Sequence, residues 1–281
     1  MTRRAQLRRS LAGVLVAGVL APALLGGCAQ SVDPIERLSR KAAQKVGPHA
    51  KRPSAETYRR WGLPGPLAPA PSPPARPPGA GAPGAKRAGG KGTGAAGAGG
   101  AGDAAALPPV VDRVRTTDKV VFLTFDDGAE KEPRFVDMVR ELRLPVSLFL
   151  TESVVGPGYA QFARLRAVGA TVQNHTLHHP YLPGMPYAGQ RAEICGQRDK
   201  VLARFGVRPR LFRPPHNAYD GETVRAAASC GASAIVLWRT PTPGTPLHRG
   251  DILLSHANTT PALLRRIHAD GLTVARLEDY L

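Results

Sequence analysis

Two adjacent carboxylates close an apolar run in VVFLTFDDGAE (residues 120–130), and two histidines four apart stand in NHTLHHP (residues 174–180). Asp127, His175 and His179 form a set of one carboxylate and two imidazoles, donors that a divalent transition ion accepts while leaving a position for water. The spacing of four brings both rings to one point if the segment makes a single helical turn, and Pro180 disfavours anything longer. An ion there would absorb the charge of Asp127, so Asp126 could stay ionised and take a proton from water held at the ion. Without the ion the two acids would repel, and one would hold its proton near neutrality. Zinc, cobalt and nickel suit such ligands. The bland readings are an ordinary DDG turn after a strand and solvated loop histidines, with His178 facing solvent or supporting the ligands from behind. A non-haem iron oxygenase uses the same donor types, but that class prefers a double-sheet β fold and a close His-x-Asp pair, and Asp127, His175 and His179 form no such pair.

The elements that must position these residues alternate. Residues 119–125 form a β-branched apolar run, 133–142 have helical period, and 145–150 make a second buried strand. Helices are then expected at 161–168, 190–205, 222–230 and 261–270, the last opened by a threonine cap, with strands at 170–173, 210–212, 233–238, 251–255 and 272–275. Strand-helix alternation predicts an α/β fold with a parallel sheet, open or closed as a barrel. Chemistry in such folds gathers at the carboxyl ends of the strands. Asp126 and Asp127, the NHTLHHP histidines, RPPH (residues 213–216), a proline-rich loop after Trp238, and His256 all follow strands, so they share one rim.

The rest of the chain reads differently. From residue 62 to 109, 24 of 48 positions are Gly or Pro, with few bulky apolar side chains to bury. Of the net charge of +17, residues 1–109 hold 16 Lys/Arg against 4 acids, while residues 110–281 hold 22 against 17. The basic excess therefore belongs to a tether near an anionic surface; no basic-aromatic pattern accompanies it, and nucleic acid is not an expected partner. Arg3, Arg4, Arg8 and Arg9 precede an apolar run that contains Pro22 and closes on small residues, which suits an export signal at 1–27. LGGC, ending at Cys28, resembles a bacterial lipobox, and TRRAQLR (residues 2–8) is similar to a twin-arginine signal. The lipobox resemblance implies cleavage before Cys28, diacylglycerol on its sulfur, and an extracytoplasmic, membrane-anchored protein with a tether at 28–109. Cys195 and Cys230 would then remain in an oxidising compartment, either bridged or as two buried thiols.

Residues 110–281 resemble the polysaccharide deacetylases, the NodB-homology domain of carbohydrate esterase family 4. TFDDG (124–128), HTLHHP (175–180), RPPH (213–216) and LSH (254–256) occur in the family's order at similar intervals. The resemblance implies a distorted (β/α) barrel of about seven strands and zinc-dependent removal of acetyl groups from an N-acetylated glycan. It assigns Asp126 as general base, Asp127, His175 and His179 as metal ligands, and His256 as the acid that protonates the leaving amine. Arg213 would hold Asp126 in its working charge state. The backbone N–H of His216 is a candidate oxyanion donor, and Trp238 either stacks on a sugar ring or fills the barrel mouth. Two departures stand out. His216 and Asn217 replace an aromatic residue and glycine, and no acid lies between Trp238 and Gly250, where the family carries an aspartate paired with the motif arginine. Slower turnover, or a non-catalytic glycan-binding relative that keeps the metal, is the expected consequence.

Overall fold

The computed structural model describes residues 53–72, 107–127 and 132–281. The expected signal, Cys28 and most of the expected tether lie outside the described residues. Eight strands lie among the described residues: β1 (Val110–Val111), β2 (Val120–Asp127), β3 (Val146–Leu150), β4 (Thr171–Asn174), β5 (Leu211–Phe212), β6 (Ala234–Val236), β7 (Ile252–Leu254) and β8 (Thr273–Val274). All named pairs are parallel, in the order β1-β6-β5-β4-β3-β2-β7, with β8 beside β2. The gap between β6 and β7 is bridged by Arg239, whose N–H donates to the Ile252 carbonyl at 2.8 Å and whose carbonyl accepts from Leu254 N–H at 3.1 Å. The result is the expected seven-strand distorted barrel, an α/β fold.

Outside the sheet lie α1 (Ala55–Arg60), α2 (Pro133–Leu142), α3 (Glu152–Val155), α4 (Tyr159–Ala167), α5 (Tyr187–Phe205), α6 (Gly221–Ser229) and α7 (Thr260–Ala269). The bounds of α2 are those read from sequence, because Pro133 opens its first turn and Arg143, in the left-handed region at φ 53°, ends it. Cys195 on α5 and Cys230 after α6 are bridged, with Cα atoms 5.0 Å apart. At Gly250 (φ 83°) a β-carbon would stand 1.9 Å from the Val114 carbonyl oxygen, so only glycine lets these two backbones meet.

Strand alternation sorts the side chains into two populations. Val121, Leu123 and Phe125 of β2 join Val146, Leu148 and Leu150 of β3 in the cluster that packs on the helices. Val120 and Phe122 share a second cluster with Phe149, Leu211, Val236 and Ile252, which fills the barrel lumen. The lumen's lower end is polar: one Glu278 oxygen accepts from Ser147 Oγ at 2.9 Å, Thr171 Oγ1 at 2.5 Å and Gln173 Nε2 at 2.9 Å.

The tether expected through residues 28–109 does not hold at 53–72. Ser54 caps α1 by accepting from Thr57 N–H, Tyr58 and Leu63 are buried in the main core, and Trp61 Nε1 donates to Glu141 at 2.9 Å. Residues 66–70 then run past the starts of β3, β4 and β8, where they line a cavity of about 490 Å³ at the pole away from the rim. Leu63→Ala is expected to lower unfolding free energy by about 2–5 kcal/mol, as for other buried leucines. A urea titration checks this, since truncation of a true tether residue would leave the midpoint unmoved.

Candidate active site

Lumen parity decides which side chains meet. Asp126 continues the inward series of Phe122 and Thr124 on β2, His175 that of Gln173 on β4, and Arg213 that of Leu211 on β5. Parity would send Asp127 outward to the helices. Its φ of 63° turns the chain instead, and Oδ1 lies 3.5 Å from His175 Nε2 and 3.3 Å from His179 Nε2. Candidate ligand atoms of Asp127, His175 and His179 lie within 4.8 Å of one another, as expected for a shared ion.

The donor chemistry fits a divalent cation. His175 Nδ1 lies 2.8 Å from the Arg213 carbonyl, which can only accept, so Nδ1 carries the proton and Nε2 offers a lone pair. Burial, opposed by the nearby charge of Asp126, lowers the pKa of His175 and keeps the ring neutral, as a ligand requires. Asp127 Oδ1 is buried and has no hydrogen-bond partner among the described residues. A lone pair and a buried carboxylate oxygen facing each other at the edge of the lumen are what a cation would reconcile.

The loop that carries the histidines differs from the expected helical turn. Thr176 (φ 71°) and His179 (φ 59°) are both left-handed, and side chains hold them there. Asn174 Oδ1 accepts from Thr176 N–H at 3.0 Å, and Thr176 Oγ1 accepts from His179 N–H at 3.1 Å. One Glu193 oxygen on α5 accepts from the N–H groups of Leu177 and His178 at 3.0 and 2.9 Å. His178 turns its ring to the other Glu193 oxygen at 2.8 Å and stands outside the cluster. Gly196 on α5 admits the loop, because a β-carbon there would lie 2.5 Å from Leu177 Cδ1. Gly196→Ala, which favours an isolated helix by up to about 1 kcal/mol, is therefore expected to destabilise this chain by about 1–3 kcal/mol through overpacking. Calorimetry of G196A and of G196A/L177A checks the cause: the second change should recover most of the loss.

Arg213 is the largest fully buried side chain. Its Nη1 donates to Asp126 Oδ1 at 2.6 Å and to Thr124 Oγ1 at 2.9 Å, and Nε donates to the Val236 carbonyl at 3.3 Å. Nη2 has no partner among the described residues, which agrees with the lack of an acid between Trp238 and Gly250. His216 (φ 59°) follows Pro214 and Pro215 and sets its ring edge-on to His179, with centroids 4.7 Å apart. Asn217, the other residue of the first departure, has a role of its own: its amide pairs with Trp238 in both directions, Nδ2 to the carbonyl at 3.0 Å and Oδ1 from the N–H at 3.2 Å. Half-buried Trp238 is thereby fixed beside the rim.

His256 is exposed just beyond β7. Thr124 pairs with Leu254 in the β2–β7 register, so His256 lies two residues further along β7's path, as Asp126 does on β2. The threonine cap expected for α7 is not made: Thr259 stands at the cap position without a side-chain capping bond, and Thr260 is already the first helical residue. Their hydroxyls donate instead to the His256 carbonyl at 3.1 and 2.8 Å, and Thr259 Oγ1 also accepts from His256 N–H at 3.2 Å. Sequence reasoning missed Glu193 and Gly196 because they act through tertiary contact, and it missed Asn174 and this brace because a local Asn or Thr hydrogen bond leaves no periodic signal.

Comparison with known proteins adds an independent line. A family model described as polysaccharide deacetylase matches residues 113–235, ending before Trp238 and His256. An uncharacterised protein of Streptomyces coelicolor is 56% identical over 194 residues, which cover 62% of this chain and 78% of that protein. A chitooligosaccharide deacetylase of Bradyrhizobium is 30% identical over 125 residues, 41% of this chain and 54% of the enzyme, so the match spans about half of that relative. Among solved structures, a carbohydrate esterase family 4 pseudoenzyme of Bacillus anthracis aligns with a TM-score of 0.56 at 19% identity, over 62% of this chain and 69% of that one. That likeness concerns the fold.

Proposed function

This chain belongs to the polysaccharide deacetylase family, and from that premise we propose that it is a metal-dependent hydrolase removing N-acetyl groups from an extracellular or cell-wall glycan. The observation that carries the reading is the buried, partnerless Asp127 oxygen facing two imidazole nitrogens beside an arginine-held Asp126. A zinc, cobalt or nickel ion held by Asp127, His175 and His179 would supply Lewis acidity, activating water and polarising the acetyl carbonyl.

The chain's own groups do the rest. Arg213 Nη1 holds Asp126 Oδ1 through a charge-assisted bond, leaving Oδ2 to take a proton from the attacking water. The N–H of His216, in a turn fixed by two prolines, donates to the developing oxyanion. His256, held by two threonine hydroxyls, protonates the departing amine. Trp238 presents a flat apolar wall to a sugar ring. Acetate release from N-acetylglucosamine oligomers with added zinc, beside an Asp126→Asn control, tests the proposal. Release no greater than the control would refute it.

The second reading, a glycan binder that keeps the metal, has one observation in its favour, the partnerless Nη2 of Arg213. A Bacillus anthracis relative is described as a family 4 pseudoenzyme, and a mutant of it as having restored activity. Glycan binding without acetate release would select it. Anchorage through lipid on Cys28 is a further part of the proposal, resting on the lipobox-like LGGC. Incorporation of labelled palmitate that is lost in Cys28→Ala would support it.

A further inference from the structure

Arg213 is a buried cation with one charged partner, and its surroundings show what holds it. The guanidinium carbon lies 3.9 Å from the centroid of the Phe149 ring. Phe149 is fully buried in β3 and is the register partner of Asp126 on one side and of Gln173 on the other. Strand pairing fixes its backbone and complete burial in the lumen cluster confines its side chain, so the ring is a firm platform under the guanidinium. Thr124 completes the seat: its hydroxyl donates to the Leu253 carbonyl at 3.0 Å, which orients a lone pair toward Arg213 Nη1. Two edges of the fork are thus held by hydrogen bonds and one face by an aromatic ring, while Nη2 has no hydrogen-bond partner among the described residues.

We propose that Phe149 is a positioning residue: its ring face replaces a second carboxylate as the group that fixes Arg213, and through Arg213 it fixes Asp126. A ring attracts the cation through its quadrupole without sharing the proton donors, so Nη1 stays committed to Asp126 and Thr124. The kinetic part of the inference rests on the hydrolase reading above; the contact itself does not.

The test varies the ring's electrostatics at nearly constant shape. Phenylalanine at 149 is replaced by its 4-fluoro, 3,5-difluoro and 3,4,5-trifluoro analogues, in the full chain and in an Arg213→Met background. With N-acetylglucosamine oligomers and zinc, kcat is expected to fall stepwise with fluorine number, roughly tenfold in total, at unchanged KM. The urea midpoint, corrected by the Arg213→Met series, should fall in the same order. A filler role predicts a flat series, and flat kcat and corrected midpoints would overturn the proposal, as would an equal midpoint slope in the Arg213→Met background and in the parent chain. If the parent releases no acetate, the midpoint series still decides the contact, and the hydrolase reading fails separately.

Discussion

Asp126→Asn is expected to lower kcat for acetate release by about 10²–10⁴-fold, the weight of a positioned general base, with zinc content unchanged. Asparagine keeps the shape and an oxygen that can accept from Arg213 Nη1, now 2.6 Å from the carboxylate. What it removes is the ability to take a proton. Asp126 is not one of the three candidate ligands: its nearer approach to the cluster is 3.9 Å, from Oδ2 to His175 Nε2. Kinetics and elemental analysis on the same preparation separate the two roles. Loss of zinc together with activity would place Asp126 among the ligands instead.

Asp127→Asn should do the reverse, lowering zinc affinity by at least about 100-fold, the upper end of what disturbing supporting groups alone produces. Activity at limiting zinc should fall with it. Asparagine is the informative substitution because position 127 is left-handed at φ 63°, a region that asparagine enters readily and alanine does not. Fold stability of the zinc-free protein should therefore be kept, and a buried carboxylate oxygen without a partner is removed from it. Competition titration with a chromogenic chelator measures the affinity, and a urea titration of the zinc-free chains checks the fold.

The barrel was legible because its strands are short, buried runs separated by helices of clear period, and because proline marks the start of α2 where the helix begins. The rim was legible for the same reason, since Asp126 stands at the end of β2 and His175, Arg213 and His256 come just after β4, β5 and β7. How they meet was not. Nothing in the types Asp127, Thr176 and His179 announces a left-handed backbone, and the turn geometry expected from a spacing of four gave way to a loop pinned by Asn174 and Glu193. Such pins join residues through folding, as Phe149 and Arg213 are joined across 64 positions of sequence, a relation that periodicity does not encode. Helix α1 had a local signal in Ser54, Glu56 and Gly62, but the Gly/Pro-rich composition of the neighbouring stretch outweighed it. The threonines before α7 show the opposite error, a sound capping pattern whose hydroxyls serve His256 instead.

The most direct test is anomalous diffraction at the zinc absorption edge from crystals of the zinc-loaded chain. The account predicts one strong peak at about 2.0–2.2 Å from a carboxylate oxygen of Asp127 and from Nε2 of both His175 and His179. No peak between these three side chains, or one bound elsewhere, would contradict it.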